Sequence, residues 1–217
     1  MRRVGWNCLW ILLVGPLLFG ACAWVDKHAY HTVTADLSVS GPGRISVATR
    51  DRRPYVLQQN KGPQFVGTLR SLHYSPFDVT TEDDRPLADG MTQAISNSLA
   101  KRGFRPVPVF VSPFESTERI QKMLAQGEVD RAILLTLREW KSDTYADTVL
   151  HFDVILIVLD RTEQVIGEKR IQGRDHFPGA YRNASSHARE VVSRAFKGKL
   201  EELLNDPAVA NALRPSP

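Results

Sequence analysis

His151 and Asp153 are the side chains in this sequence whose types and spacing come nearest to a metal site. They are two residues apart on a predicted strand, so both point to one face of a sheet. Imidazole and carboxylate groups bind zinc, but a zinc site needs three or four ligands, and no third ligand has suggestive spacing. We therefore expect a solvated or paired polar face here, and we predict no metal and no cofactor.

Two other segments could carry acid–base or nucleophilic chemistry. Ser185-Ser186-His187 places hydroxyls beside an imidazole, but adjacent residues at a helix start do not face each other, and no G-x-S-x-G motif occurs. Glu82-Asp83-Asp84 offers paired carboxylates, which at the start of a helix complement its dipole. The structural explanation suffices in both cases, so we predict no catalytic residue and a protein that is not an enzyme.

The amino-terminal segment predicts export and lipidation. A basic start precedes an apolar run of about 15 residues, which is shorter than the roughly 20 residues of a membrane-spanning helix. The run ends in Leu18-Phe19-Gly20-Ala21-Cys22, which resembles the lipobox of bacterial lipoproteins. The resemblance implies that residues 1–21 are a signal peptide and that Cys22 carries a diacylglycerol and an acylated amine. A transmembrane anchor and an ordinary cleaved signal are the alternatives.

Charge and cysteine content narrow the class of partner. The chain has 28 Lys and Arg and 24 Asp and Glu residues, and residues 1–21 contain two of the basic and none of the acidic ones. The rest of the chain therefore has a net charge of +2, and we expect no nucleic-acid partner. Cys8 would leave with the signal, so the mature domain could form no internal disulfide and must be stabilised by a hydrophobic core.

Apolar periodicity places the regular elements. Three long runs joined by short polar links predict an antiparallel meander, over residues 131–140, 148–160 and 164–173. Ala35–Val39 and Arg44–Ala48 flank a glycine-containing turn and predict a hairpin, and Pro54–Leu57 predicts a further strand. Helical spacing predicts one helix along Leu87–Leu99 and a longer one along Ser185–Leu204.

These elements predict the fold class and the domain organisation. We expect an α+β fold, with a mainly antiparallel sheet and helices packed on one face as a two-layer sandwich. Residues 22–34 are polar and without clear periodicity, so we expect a lipidated N-terminus and flexible tether there. Residues 35–217 are then a single periplasmic domain.

A contact surface is predicted around the link between the first two strands of the meander. Trp140 and Tyr145 flank a polar segment there, and aromatic side chains are enriched in the cores of interfaces. They could equally pack over the rim of the sheet. Arg52 and Arg53 form a small basic cluster that could meet anionic headgroups or a glycan, with a solvated strand end as the alternative.

Three blocks of the sequence resemble a group of proteobacterial lipoproteins without an assigned activity. They are Asp51–Val56, Pro76–Thr81 followed by Pro86–Ala88, and Glu139–Thr144. The arrangement of elements is also similar to the YajG-type periplasmic lipoproteins, at the level of the fold. The resemblance implies an envelope location and a module that is not an enzyme, and it supplies no catalytic residues.

The function expected from these features is non-catalytic binding at a membrane. Ala23 follows the predicted lipidated cysteine, which by analogy with the sorting of enteric lipoproteins favours the outer membrane. We expect a periplasm-facing domain, held by its N-terminal lipid, that binds an envelope protein or another envelope component. A small-ligand or lipid carrier is an alternative, and an envelope hydrolase is a more distant one.

Overall fold

The computed structural model describes residues 27–70, 76–181 and 183–214. Cys22 and the predicted signal lie outside the described residues. No helix within these three ranges is long and apolar enough to cross a membrane. The strands are β1 (Lys27–His28), β2 (Arg44–Asp51), β3 (Phe65–Arg70), β4 (Pro76–Thr81), β5 (Arg105–Val109), β6 (Arg131–Thr144), β7 (Thr148–Leu159) and β8 (Val165–Phe177). The helices are α1 (Pro54–Leu57), α2 (Leu87–Ala100), α3 (Thr117–Leu124), α4 (Ala184–Leu204) and α5 (Pro207–Leu213).

The three longest strands form the antiparallel meander that the sequence predicted. β7 pairs with β6 on one side and with β8 on the other. Alternate residues of β6 and β7 point into the main core, among them Ile133, Leu135 and Leu156, each at most 1% exposed. These strands therefore present a shared apolar face to the core, because alternate residues of a strand point to the same side.

The other half of the sheet is mixed in direction, so the expectation of a mainly antiparallel sheet was wrong. β2 runs parallel to both β5 and β6, β3 runs parallel to β6, and β1 runs parallel to β4. The chain between β2 and β6 contains α2 and α3, and crossovers that carry helices bring parallel strands side by side. The fold class is α+β, with a curled mixed sheet.

Two segments that were predicted as strands have other conformations. Residues 35–39 pair with no strand, because helix side chains bond their backbone: the Ser38 N–H donates to Asn205 Oδ1 at 2.7 Å. The predicted hairpin with β2 is therefore absent. Pro54–Leu57 is the short helix α1, with proline in its first turn, where the missing N–H costs no hydrogen bond.

Helices cover both faces of the sheet, which corrects the expected packing on one face. α2, α4 and α5 contribute to the main core, on the side of Ile133 and Leu135. α3 packs on the opposite face, where Ile120 and Leu124 join Leu134 in a second apolar cluster. The cause is the alternation of β6, since Leu134 points away from the main core and α3 removes it from water.

The described part of the expected tether, residues 27–34, is packed against the rest of the domain. β1 pairs with β4, and Tyr30 is only 2% exposed. The ring of Tyr30 packs edge-on against Phe196 of α4, with 5.0 Å between ring centroids. Its hydroxyl accepts a hydrogen bond from Trp140 Nε1 at 3.0 Å. The packed domain therefore includes residues that precede Ala35.

Candidate functional site

Two of the four residues expected on a contact surface are buried. Trp140 is 1% exposed and Arg53 is 0% exposed, so neither side chain can meet a partner. Arg52 and Tyr145 do lie at the surface, and Tyr145 is 37% exposed. Trp140 and Arg53 therefore do not belong to a contact surface, because the indole ring and this guanidinium group pack and form hydrogen bonds inside the fold.

The buried guanidinium of Arg53 is held by one carboxylate and by backbone carbonyl groups. Its Nη2 donates to Asp51 Oδ2 at 2.6 Å and its Nε donates to Asp51 Oδ1 at 2.9 Å, a bidentate ion pair. Its Nη1 donates to the carbonyl oxygens of Phe65 at 2.6 Å and Trp140 at 3.2 Å. Burial by itself lowers the pKa of Arg53, but the hydrogen bond and the charge of Asp51 outweigh it, so the pKa is raised. Arg53 is therefore a charged, structural residue.

Arg53 fills a gap in the sheet. Along one side of β6, β2 pairs as far as Leu137 and β3 begins to pair at Ser142, so in the described chain no strand bonds the residues between them on that side. Trp140 lies in this gap. Its carbonyl oxygen accepts hydrogen bonds from Arg53 Nη1 and from the hydroxyl of Tyr55, each at 3.2 Å. Two of the distinctive sequence blocks thus meet in one buried network that satisfies the backbone where two strands end.

A β-bulge at Arg138 turns Trp140 into the core. The register of β6 on β7 shifts just after Leu137, which leaves one residue of β6 without an opposite partner. Leu137 and Trp140 are three residues apart, so strict alternation would place them on opposite faces, and the extra residue returns both to the same face. The indole packs edge-on against Tyr30 and Phe196, with centroid distances of 6.3 and 5.6 Å.

His151 and Asp153 lie on the open face of the meander, where arginine occupies the carboxylate. Nε and Nη2 of Arg170 donate to the two oxygens of Asp153 at 2.8 and 2.9 Å, and Arg138 Nε lies 3.5 Å away. Within the described residues, no group of three His, Cys, Asp or Glu side chains is arranged to hold a metal ion. This face carries cross-strand ion pairs, in keeping with the paired polar face that the spacing favoured.

Three exposed aromatic side chains lie at the end of the sheet where β6 finishes, which we call the aromatic end. They are Phe77, Tyr145 and Tyr181, with exposed fractions of 57%, 37% and 81%. In the register of the sheet, Leu69 is opposite both Phe77 and Thr144, and Tyr145 follows directly. The Ala180 N–H donates to the Ala146 carbonyl oxygen at 2.8 Å, which holds the segment before Tyr181 beside the turn that carries Tyr145.

The N-terminal strand leads away from the domain toward the aromatic end. β1 is parallel to β4, with Lys27 opposite Thr80 and His28 opposite Thr81. Followed from His28 back to Lys27, β1 therefore runs in the direction of Pro76 and Phe77, at the start of β4. The first residue of β1 thus faces the same end of the sheet as the exposed aromatic side chains.

The opposite end of the sheet collects arginine residues, and we call it the arginine end. Three neighbouring parallel strands each begin with one: β2 with Arg44, β5 with Arg105 and β6 with Arg131. Arg44 is opposite Arg105 in the register, and Ile45 is opposite Arg131. Because parallel strands begin at the same edge of a sheet, the three residues gather although they are far apart in the sequence.

Two adjoining cavities open at the arginine end. The larger, of about 710 Å³, is bordered by α3 and by the turn between β7 and β8, and its charged residues include both signs. The smaller, of about 360 Å³, lies between the start of β2 and the end of α5. Arg105, Asp130 and Arg161 border both cavities. The smaller cavity is strongly cationic, since it is lined by one aspartate and by Arg105, Arg131, Arg161 and Arg214.

Asp130 organises the arginine end. Its Oδ2 accepts a hydrogen bond from the backbone N–H of Arg44 at 2.8 Å, and its Oδ1 accepts one from Nη2 of Arg161. The N–H of Arg44 and then Arg161 lower the pKa of the Asp130 carboxyl below its ordinary value. Arg131 donates from Nε to the carbonyl oxygen of Ala212 at 3.0 Å, which ties the start of β6 to α5.

The arginine end was not predicted from the sequence. A signal was present, since the strands predicted over residues 44–48 and 131–140 each start with an arginine, but it has meaning only if those strands are parallel neighbours. The predicted hairpin would have placed 35–39 beside β2 instead. The aromatic end was found in part, through Tyr145, whereas Phe77 and Tyr181 reach it only through the register of the folded sheet.

Comparison with known proteins adds evidence on the fold alone. No protein-family model matches the chain, and no curated protein matches it in sequence. A protein of Xanthomonas campestris, XCC0632 of family DUF330, is similar in structure, with a TM-score of 0.51 at 12% identity over 82% of this chain and 92% of that one. The Neisseria meningitidis lipoprotein GNA1162 matches with a TM-score of 0.29 at 14% identity over 73% of this chain and 99% of that one, too low to carry an argument. The likeness to YajG-type lipoproteins stays a prediction, and the chain is similar in fold to the DUF330 protein.

Proposed function

We propose that this chain is an outer-membrane-anchored lipoprotein whose periplasm-facing domain binds an envelope protein or another envelope component and catalyses no reaction. The aromatic end carries the binding role. Phe77, Tyr145 and Tyr181 expose large rings at one end of the sheet, and such rings are enriched at the centre of protein interfaces. Exposed aromatic residues that cluster, rather than scatter, favour a contact surface.

The position of the proposed anchor supports this surface. Cys22 is five residues before Lys27, and a chain of that length spans at most about 18 Å. Because β1 leads toward Phe77, about 10 Å along β4 from the partner of Lys27, lipid on Cys22 would hold the aromatic end near the membrane. A partner bound at that end would then be a membrane component or a protein held close to the membrane. Two or more acyl chains make such an anchor stable.

The outer edge of β8 is a less favourable binding surface. In the described chain β8 pairs with β7 alone, so an extended peptide could add to its other side. Its exposed residues, however, include the charged Glu168, Arg170 and Arg174. Charged side chains along an edge strand oppose the addition of another strand, so we place the partner at the aromatic end.

A small-ligand carrier is the second candidate function, and the cavities at the arginine end favour it. Their sizes fall within or near the range of small-molecule sites, and polar groups converge on them. Such a role is compatible with a protein contact at the aromatic end, because the two ends are separated by the length of β6.

The test is site-specific photo-crosslinking in intact cells that lack the native copy. A photoreactive residue at Tyr145 or Tyr181 should give crosslinks to a discrete product, identified by mass spectrometry. The matched control is Val165, which is apolar and 52% exposed but lies at the opposite end of β8. Equal crosslinking at Val165 and Tyr145 would contradict a contact surface at the aromatic end.

The same strain tests the anchor. Cys22→Ser should abolish incorporation of labelled palmitate and leave uncut precursor, and the crosslinks at Tyr145 should fall with the loss of membrane attachment.

Tyr145→Ala should lose the partner while folding normally, because surface substitutions change stability by no more than about 0.5 kcal/mol. Palmitate labelling that persists in Cys22→Ser, or loss of the partner only in His151→Ala, would refute the assignment.

A further inference from the structure

The charges that line the smaller cavity at the arginine end are unbalanced. Four arginines face one aspartate, and that aspartate is already engaged by the N–H of Arg44 and by Arg161. Among the residues that the structure describes, the guanidinium of Arg105 has one hydrogen bond, from Nε to the Pro42 carbonyl oxygen at 3.0 Å. Arg214, at the end of α5, has no side-chain hydrogen bond within the same ranges. The remaining donors of Arg105 and Arg214 meet no acceptor in the described part of the chain and are available to an anion.

The floor of the same cavity is apolar. Ile45, Phe104 and Leu213 line it, and each belongs to the main hydrophobic core, with at most 4% of its surface exposed. A bare inorganic ion would bind the arginines and leave the apolar part of the cavity unfilled. A ligand that carries a hydrocarbon part would cover the floor, and each buried CH₂ would strengthen binding about fourfold.

We propose that the arginine end binds an amphiphilic organic anion in the smaller cavity. The ligand has a phosphate or carboxylate group, bound by Arg105 and Arg214, joined to a short hydrocarbon part that packs on Phe104 and Leu213. Guanidinium groups suit this headgroup because their paired N–H donors match the geometry of carboxylate and phosphate oxygens. The cavity, at about 360 Å³, is of a size that small ligands occupy.

The proposal rests on neither the lipid anchor nor the aromatic end.

A soluble metabolite and the headgroup region of an anionic lipid share the required chemistry, so the experiment must separate these two sources of ligand. The two cavities also differ in charge, and the larger one, which mixes acidic and basic residues, is not part of the proposed site.

The test is titration calorimetry of the full-length protein in phosphatidylcholine nanodiscs, at low salt, with butyl phosphate as the probe. Butyl phosphate should bind at least about tenfold more tightly than inorganic phosphate, because its chain covers the apolar floor. The double variant Arg105→Gln/Arg214→Gln should weaken butyl phosphate at least about tenfold, since two charge-assisted hydrogen bonds are lost. Thermal melting of each variant shows whether the fold is intact.

Arg194→Gln is the control for net charge, because it removes one positive charge, half of what the double variant loses, from an exposed position on α4 away from both cavities. It should leave the affinity for butyl phosphate unchanged. Equal affinity in the parent and the double variant, or butanol that binds as tightly as butyl phosphate, would overturn the proposal. An equal loss of affinity in Arg194→Gln would also overturn it, because binding would then reflect net charge alone.

Vesicles that contain phosphatidylglycerol distinguish the two sources. If the natural ligand is a lipid, these vesicles should compete with butyl phosphate in the parent and not in the double variant. If the ligand is a soluble anion, butyl phosphate should bind equally with and without the vesicles. Both results agree with an amphiphilic anion as the ligand. If neither butyl phosphate nor these vesicles bind, an amphiphilic anion is excluded.

Discussion

Strand β2 has an arginine environment at each end, and the two differ in almost every physical respect. Arg44 begins the strand at the border of the larger cavity of the arginine end, whereas Arg53 lies two residues after the end of the strand and is 0% exposed. Arg53 has a bidentate carboxylate and several backbone carbonyls as partners, while the arginines of the smaller cavity outnumber their single carboxylate. Arg53 therefore serves the structure, whereas the arginines of the smaller cavity are the ones that we propose for binding.

The difference shows how to tell whether a charged residue in a sequence cluster is buried for structure or exposed for binding. A buried ion pair is expensive to desolvate, so it persists where its hydrogen bonds satisfy backbone groups that nothing else can reach. At the gap between β2 and β3, Arg53 bonds the carbonyl oxygens of Phe65 and Trp140. At the arginine end the guanidinium groups of Arg131 and Arg105 each bond a backbone carbonyl oxygen while they border a cavity, which is the site that we propose for a ligand.

Removal of the carboxylate at the buried site should have the largest effect. Asp51→Ala leaves the Arg53 charge buried without its ion-pair partner, and we expect a loss of about 3–5 kcal/mol in the free energy of unfolding. Urea denaturation measures this change. Arg52→Ala, in the adjacent exposed residue, is the control and should change stability by no more than about 0.5 kcal/mol. Similar losses in the two variants would mean that Arg53 is not the structural residue described above.

A smaller loss should show that this network reaches the N-terminal segment. Tyr30→Phe keeps the ring packed on Phe196 but leaves Trp140 Nε1 buried without its acceptor. We expect a cost of about 1–3 kcal/mol, read from the same urea curves. Tyr181→Phe removes a hydroxyl from a ring that is 81% exposed, and its stability should match the parent. A Tyr30→Phe variant as stable as Tyr181→Phe would place residues 27–34 outside the cooperative fold.

The smallest effect on stability is expected at the arginine end. The Arg161 side chain is 70% exposed, so Arg161→Gln should change the free energy of unfolding by no more than about 0.5 kcal/mol. It should nevertheless raise the pKa of Asp130 toward its ordinary value, because Arg161 is one of the groups that lower that pKa. Titration of the carboxyl by NMR measures the shift, and an unchanged pKa would contradict the pairing.

The carboxyl of Asp130 also determines how the free energy of unfolding changes with pH. The pKa of Asp130 is lower in the folded state, so its contribution to stability is present above the unfolded pKa of about 3.9 and is lost as pH falls through the folded value. Asp130→Asn should lack this acid-dependent part, while Arg194→Gln should retain it. Identical pH profiles for the parent and Asp130→Asn would show that the carboxyl gains nothing on folding.

Local patterns predicted much of the fold. Helical spacing placed α2 and α4 within one or two residues, and period-two spacing found the meander of β6, β7 and β8. These predictions succeeded because the interactions involved are near in sequence: a helix buries one stripe, and a hairpin joins neighbouring strands. Pro106 and Pro108 lack amide donors, which suits the place of β5 at an edge of the sheet.

The candidate sites were predicted only in part, because they depend on distant pairings. Trp140 and Arg53 looked suitable for a surface, since Trp, Arg and polar neighbours are common at interfaces. The fold buried both by bringing residues 87 positions apart into one hydrogen-bonded network. Tyr145 remained at the surface, in the turn between β6 and β7, with 37% of its surface exposed.

The sequence by itself determined the chemical inventory: a lipobox-like Cys22, near-neutral charge, a set of helices and strands, and three strands that begin with arginine. Tertiary structure alone decided that β2, β5 and β6 are parallel neighbours and that Arg53 is buried while Arg52 is exposed. The reason is that side-chain periodicity is fixed by the local backbone, whereas strand order, direction and burial depend on which distant segments satisfy each other's apolar surfaces and hydrogen-bonding groups.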